Sequence, residues 1–233
     1  MARELIPRNP VALVKLPAAR KRRRKAWTTE QARSFLECAR ANADALYAAY
    51  VLVLVLGLRR GEVLGLVWDD LDLDEGELTV GLQLQRVGGK LLHRDTKAEA
   101  SDATLPLPEI CVTALRHARA RQEEARRLAG AAWQDRDGLV FTTRYGRPVE
   151  PRNMVRSFHA RIAVASVPDI SVHDARRTCA TLLVDLDVHP RVIMQILRHA
   201  QISVTMEIYS QAPSRQTREA LRRLSESLEA DDC

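Results

Sequence analysis

The hydrophobic pattern changes character twice along the chain. Between Trp27 and Val67 it reads as three helices, over 29–41, 43–57 and 60–67. The first opens on a capping-box pair, Thr28 followed three residues later by Gln31. From Asp69 to Pro108 short alternating runs take over: Leu78–Val80, Leu82–Arg86, Leu91–Arg94 and Thr104–Leu107. Gly76 and the pair Gly88–Gly89 separate them as turns, which predicts a small antiparallel sheet. Helical patterning returns after Pro108 and runs to about Ala129. A short strand, Leu139–Thr143, leads into a turn at Gly146–Pro148. Helices then fill 151–165, 173–187, 190–198, 203–210 and 214–228. Helices, one small sheet, then helices again is an α+β order that is mostly α.

The most apolar stretch is Ala48–Leu58. A bilayer span needs about 18–20 apolar residues, so this is a core helix. The amino terminus lacks the apolar core of a signal peptide, which points to the cytoplasm. Hydrophobic residues at 46% and charged residues at 28% exclude disorder throughout. Aromatics at 4% argue against an RNA-binding module built on base stacking. Cys38, Cys111, Cys179 and Cys233 are far apart, with no CxxC or Cys/His cluster. Neither a zinc site nor a disulfide framework is expected, and no cofactor.

The formal charge is +6, but it is unevenly spread. Residues 1–26 hold nine Lys/Arg against one Glu, while the remainder is slightly acidic. Pro7, Pro10 and Pro17 punctuate this basic stretch, which reads as a linker. A nucleic acid would therefore meet the body of the protein through a local patch.

Four segments could carry chemistry. Arg59 and Glu62 follow the most apolar helix, and an arginine there can present a two-pronged donor to a phosphate or carboxylate. The same residues also fit a plain helix–helix turn. Lys97 lies between two predicted strands, either as a proton donor reaching into a groove or as a solvated turn lysine. His173 and Arg176 share one helix face, where they could converge on a phosphate or simply open a helix. His199 closes a helix ten residues before Tyr209, and both could be ordinary packing residues.

In order, these groups read Arg, Lys, His-x-x-Arg, His, Tyr. The segments LGLRRGEVLGLVWDDLDL, DTKAEASDATLPLP, VHDARRTCATLLVDLDV and ILRHAQISVTMEIYSQ resemble the tyrosine recombinase family, the phage-type integrases, across about residues 27–225. The resemblance implies the integrase-type catalytic fold over 27–228, with 1–26 as a linker from an absent core-binding domain and 229–233 as an acidic tail. It implies site-specific DNA cleavage and rejoining, in integration or excision of a mobile element. Arg59 and Arg176 would clamp the scissile phosphate, with Glu62 in support. Lys97 would protonate the departing 5′ oxygen, and His173 and His199 would bond phosphate oxygens or assist proton transfer. Tyr209 would be the nucleophile, leaving a 3′-phosphotyrosyl link.

That chemistry stands without the analogy. Two guanidiniums can stabilise charge on a five-coordinate phosphorus. A phenol with a reference pKa near 10 needs cationic surroundings and a base to attack. The leaving alkoxide needs an acid. No metal cluster and no nucleotide-binding loop appears in the sequence, and the covalent link conserves the phosphodiester energy, so no ATP is required.

The chain also departs from the family pattern. Arg198 stands where Gly is usual, and it would crowd the turn into His199. Ala175 replaces a usual Leu, Arg177 a common His, and Asp102 lies where it would repel phosphate.

The partner implied is double-stranded DNA, bound by a homotetramer. Leu221, Leu224 and Leu228 form an apolar stripe, so helix 214–228 would dock on a neighbouring protomer or on its own domain. A non-catalytic DNA-binding remnant and a helical protein-interaction module are the competing readings.

Overall fold

The computed structural model describes residues 26–95, 103–135, 137–198, 206 and 222. The capping box forms as expected. Thr28 Oγ1 accepts from the Gln31 backbone N–H, and Gln31 Oε1 accepts from that of Thr28 at 3.0 Å, opening α1 (Thr29–Ala41). The next helix, α2 (Tyr47–Val55), is apolar all round and buried from Ala48 to Leu54. A helix with no polar face must sit inside, and α2 packs on α1, on α4 (Glu109–Ala129) and on α6 (Val172–Asp185). It begins four residues later than the pattern predicts. Asp44 takes the preceding turn, accepting from the Leu46 N–H at 2.9 Å and pairing with Arg161 of α5 (Pro151–Ala165) at 2.9 Å.

An aromatic cluster joins α1, α2 and α5. Phe35 lies 4.9 Å from Trp27, 5.3 Å from Tyr50 and 5.0 Å from Phe158, measured between ring centroids. Such pairs add about 0.5–1.5 kcal/mol each beyond their burial. Trp27 also ties the start of α1 to the loop before α6 and to α6 itself. Its backbone N–H donates to Thr178 Oγ1 at 3.0 Å, and its indole N–H to the Pro168 carbonyl at 2.7 Å.

The strands form two sheets rather than the single one expected. The strands β1 (Leu71–Asp72), β2 (Glu77–Val80) and β5 (Ala103–Pro106) make an antiparallel sheet in the order β1-β2-β5, with Leu78 opposite both Leu71 and Leu105. The other two, β3 (Leu82–Val87) and β4 (Lys90–Asp95), form a separate hairpin closed by Gly88 and Gly89 at φ +56° and +78°. Alternation in the sequence marks strands but not their partners, and it passes over the two-residue β1. The hairpin lies on α3 (Arg60–Gly65), where His93 Nε2 bonds the Gly65 carbonyl at 2.7 Å.

Leu139–Thr143 is likewise not a strand. It makes only isolated bridges, Val67 with Leu139 and Thr142 with Pro148. Its backbone is instead held by Gln122 of α4, whose amide donates to the Leu139 carbonyl at 2.8 Å while accepting from the Trp68 indole at 2.6 Å. The helix α7 (Pro190–Leu197) is followed by two isolated described positions, Met206 and Arg222, both helical and each inside an expected helix, 203–210 and 214–228. The rest of those two helices, the linker 1–26 apart from Ala26, and the tail 229–233 lie outside the described residues. Among the described residues no helix is long and apolar enough to cross a membrane.

Candidate active site

The turn after α2 has to reverse quickly, and Gly57 makes this possible with φ +59°. Arg59 follows as the N-cap of α3. An N-cap leaves backbone N–H groups to satisfy, and here Glu62 accepts from the Arg59 N–H at 2.8 Å through Oε2. Its other oxygen accepts from Arg59 Nη1 at 2.5 Å. Glu62 is 3% exposed and the Arg59 side chain 44%, so the carboxylate is the buried anchor and the guanidinium the part that faces outward.

On α6, the residues of interest sit in the first turns of the helix. Ser171 and Asp174 form a second capping box, in which Ser171 Oγ accepts from the Asp174 N–H at 3.1 Å. His173 is exposed at the second helical position. One turn later, Arg176 is buried and donates to two backbone carbonyls, Gly57 from Nη1 and Leu197 from Nη2. A guanidinium has five N–H donors, so these bonds fix its plane while leaving donors for a further acceptor. Burial, and then the Arg59 charge, push the Arg176 guanidinium down to about 9, still charged at neutral pH.

The carboxy-terminal end of α7 closes on the same place. Arg198 is its C-cap, in the left-handed region at φ +51° and ψ +51°. Its side chain is 1% exposed and donates from Nη2 to Glu62 Oε2 at 2.5 Å. Its carbonyl accepts from Arg59 Nη2 at 3.3 Å. Burial alone would raise the Glu62 carboxyl, but the Arg198 charge and the Arg59 bonds outweigh it and hold Glu62 below its ordinary value. Burial pushes the Arg198 guanidinium down, against the upward pull of Glu62. Arg59, Arg176 and Arg198 thus gather around Glu62, and the cluster is cationic.

The structure therefore brings together Arg59, Glu62 and Arg176 from separate segments, with His173 at the head of the helix that carries Arg176. Lys97, His199 and Tyr209 lie outside the described residues, as does Asp102. Arg198 is the participant that sequence reasoning did not assign: its place was noted only as one where glycine is usual. Cys179 lies beneath, donating to the Val55 carbonyl at 3.3 Å. Burial pushes its thiol and that of Cys111 up to about 12, which makes both unreactive packing groups.

Comparison with known proteins accords with this geometry. The Phage integrase family pattern matches residues 25–215. A XerC-like tyrosine recombinase of Caldanaerobacter subterraneus subsp. tengcongensis is 31% identical over 192 residues, covering 78% of this chain and 49% of that protein. An integrase of Streptomyces ambofaciens is 30% identical over 222 residues, covering 90% and 55%. The chain thus spans about half the length of these relatives. Among solved structures, the Tn1549 transposon integrase in complex with circular intermediate DNA superposes with a TM-score of 0.73 at 23% identity, covering 86% of this chain and 67% of that one. XerA recombinase superposes at 0.65 with 21% identity, covering 89% and 66%. At these identities the superpositions establish a shared fold, and the family match establishes descent: the chain belongs to the phage integrase family of tyrosine recombinases.

Proposed function

We propose that the chain carries out site-specific breaking and rejoining of double-stranded DNA, in integration or excision of a mobile element. The observation that carries this reading is the convergence of Arg59 and Arg176 at the Gly57 turn, one guanidinium outward and the other fixed behind it. Two charge-assisted donors on fixed elements are suited to the non-bridging oxygens of one phosphate, where they stabilise the charge that develops during attack. His173 adds a hydrogen bond from the start of α6.

In the proposed reaction the Tyr209 oxygen attacks phosphorus. The bond to the 5′ oxygen breaks, and that oxygen leaves as a hydroxyl with a proton from Lys97. The phenolic proton passes to a neighbouring base, with His199 a candidate. The product is a 3′-phosphotyrosyl link, and a 5′ hydroxyl of another strand reverses the steps. The arginines supply the positive charge for this transfer, and the balance needs neither metal nor ATP. Four protomers would act together on the DNA, with helix 214–228 exchanged between neighbours, in the cytoplasm. The relatives that support this include the Tn1549 transposon integrase bound to DNA.

The test uses nicked duplexes from a randomised pool, from which the chain selects those it captures covalently. The expected result is a protein–DNA band in denaturing gels with the unmodified chain and none with Tyr209→Phe. A band that persists in Tyr209→Phe would overturn Tyr209 as the nucleophile. No band from either, with salt-sensitive DNA affinity, would leave a DNA-binding module without cleavage.

A further inference from the structure

Arg198 holds both ends of the Arg59–Glu62 pair. Its guanidinium reaches Glu62 Oε2 at 2.5 Å, and its carbonyl accepts from Arg59 Nη2 at 3.3 Å. With the two bonds from Glu62 to Arg59, at 2.5 and 2.8 Å, these contacts form a closed ring. The remaining terminal nitrogen, Nη1, donates to the Ile196 carbonyl at 3.2 Å. A residue needed only to end α7 at φ +51° would be glycine, which adopts that conformation without steric cost. Arginine accepts the strain there, and both terminal nitrogens of its guanidinium bond inside the protein, while its buried Nε has no partner among the described residues.

The consequence for Arg59 is electrostatic as well as steric. A lone buried carboxylate beside Arg59 would draw its guanidinium inward and neutralise it. A second guanidinium on the far side of that carboxylate offsets its charge and fixes its plane, so Arg59 is oriented without being quenched. We propose that Arg198 is a positioning residue for DNA cleavage, acting through Glu62 to aim Arg59 at the scissile phosphate. This rests on the cleavage reading above.

The test measures single-turnover covalent capture of a nicked duplex selected by the unmodified chain, beside the dissociation constant of the same duplex by gel shift. The full chain carries Arg198→Gly, Arg198→Lys, Glu62→Gln or the double change Arg198→Gly with Glu62→Gln. Arg198→Gly and Glu62→Gln should each slow capture by about ten- to a hundredfold, as misplacement of a reacting group does. Affinity should shift by less than about threefold, since the contact acts on the transition state rather than on binding. The double change should be no slower than the slower single one, because both break the same link. Arg198→Lys keeps the charge without the fork and should fall between, and it carries the comparison alone should the glycine variant fail to fold. Capture at the unmodified rate in Arg198→Gly or Arg198→Lys, a loss shared equally by affinity, or single losses that multiply in the double variant would each overturn the proposal. An unmodified chain that captures no duplex from the pool sinks the cleavage reading itself, which separates the two failures.

Discussion

Arg176 donates through Nη1 to the carbonyl of Gly57, joining the start of α6 to the turn after α2 across 119 positions of sequence. The α-carbon of Gly57 is closed in by α7 and by α6, with Arg176 Cγ 3.6 Å from where a Cβ would stand. A Cβ there would run into Leu197 Cδ2, and φ +59° would be strained for any L side chain. Gly57→Ala should therefore destabilise the fold by about 1–3 kcal/mol, from overpacking and backbone strain together. Urea denaturation checks the size. A change below about 0.5 kcal/mol would mean that α7 moves aside without cost.

Arg176→Lys keeps the charge but loses the fork that spans two carbonyls. One carbonyl loses its partner, and the ammonium cannot hold the plane that would face the proposed phosphate. Covalent capture of DNA should fall by about 10²–10³-fold, in the range for removing one fixed donor to a developing charge. Rates within a few-fold of the unmodified chain would assign the role elsewhere.

Glu62 makes a signed prediction for pH. Its carboxyl lies below the ordinary 4.5 in the folded protein. A depressed carboxyl binds fewer protons folded than unfolded, so its contribution is complete above about pH 4.5 and is lost as pH falls through the folded value. Glu62→Gln should lower stability at neutral pH and flatten the acid limb of the stability curve below about pH 4.5. Chemical denaturation from pH 3 to 7 on both proteins is the check, and parallel curves would sink it.

Gly65 lies where β3 crosses α3. A Cβ added there would meet the Gln83 backbone at 2.6 Å, and backbone cannot step aside as a side-chain tip can. Gly65→Ala should lift the hairpin from α3, breaking the 2.7 Å bond between His93 and the Gly65 carbonyl. The expected cost is about 1–3 kcal/mol. Faster amide exchange in β3 and β4 than in β2 would show that the hairpin is the part released.

Much of the helical frame was legible because its signals are local. Thr28 with Gln31 announces α1, and an apolar run with no polar face announces the central α2. What escaped the sequence depends on contacts made at a distance. Whether β3 pairs with β4 or joins β1, β2 and β5 in one sheet is decided by α3 beneath it. Leu139–Thr143 has the composition of a strand, but the side chain of Gln122 takes up the Leu139 and Val140 carbonyls. Gln122 falls within the helical pattern after Pro108, and nothing in the sequence singles it out.

The candidate site divides in the same way. Arg59, Glu62, His173 and Arg176 were legible as motifs, and the family resemblance implied a supporting role for Glu62. The arginine on the other side of Glu62 was not legible. Arg198 looked like an obstacle at a tight turn, because sequence gives the backbone demand at that point but not the buried carboxylate that receives the side chain.

The order in which these contacts become available has a consequence for synthesis. A chain emerges from the ribosome amino terminus first, at about 5–20 residues per second. Arg59 and Glu62 appear early, but the carbonyl and guanidinium of Arg198 follow 136 positions after Glu62. Arg176 becomes available to the Gly57 turn shortly before, and α7 closes over it last of these contacts. The paired guanidiniums are thus among the later of the described features to assemble, and a half-made chain passing close to nucleic acid carries the single Arg59–Glu62 pair rather than a clamp.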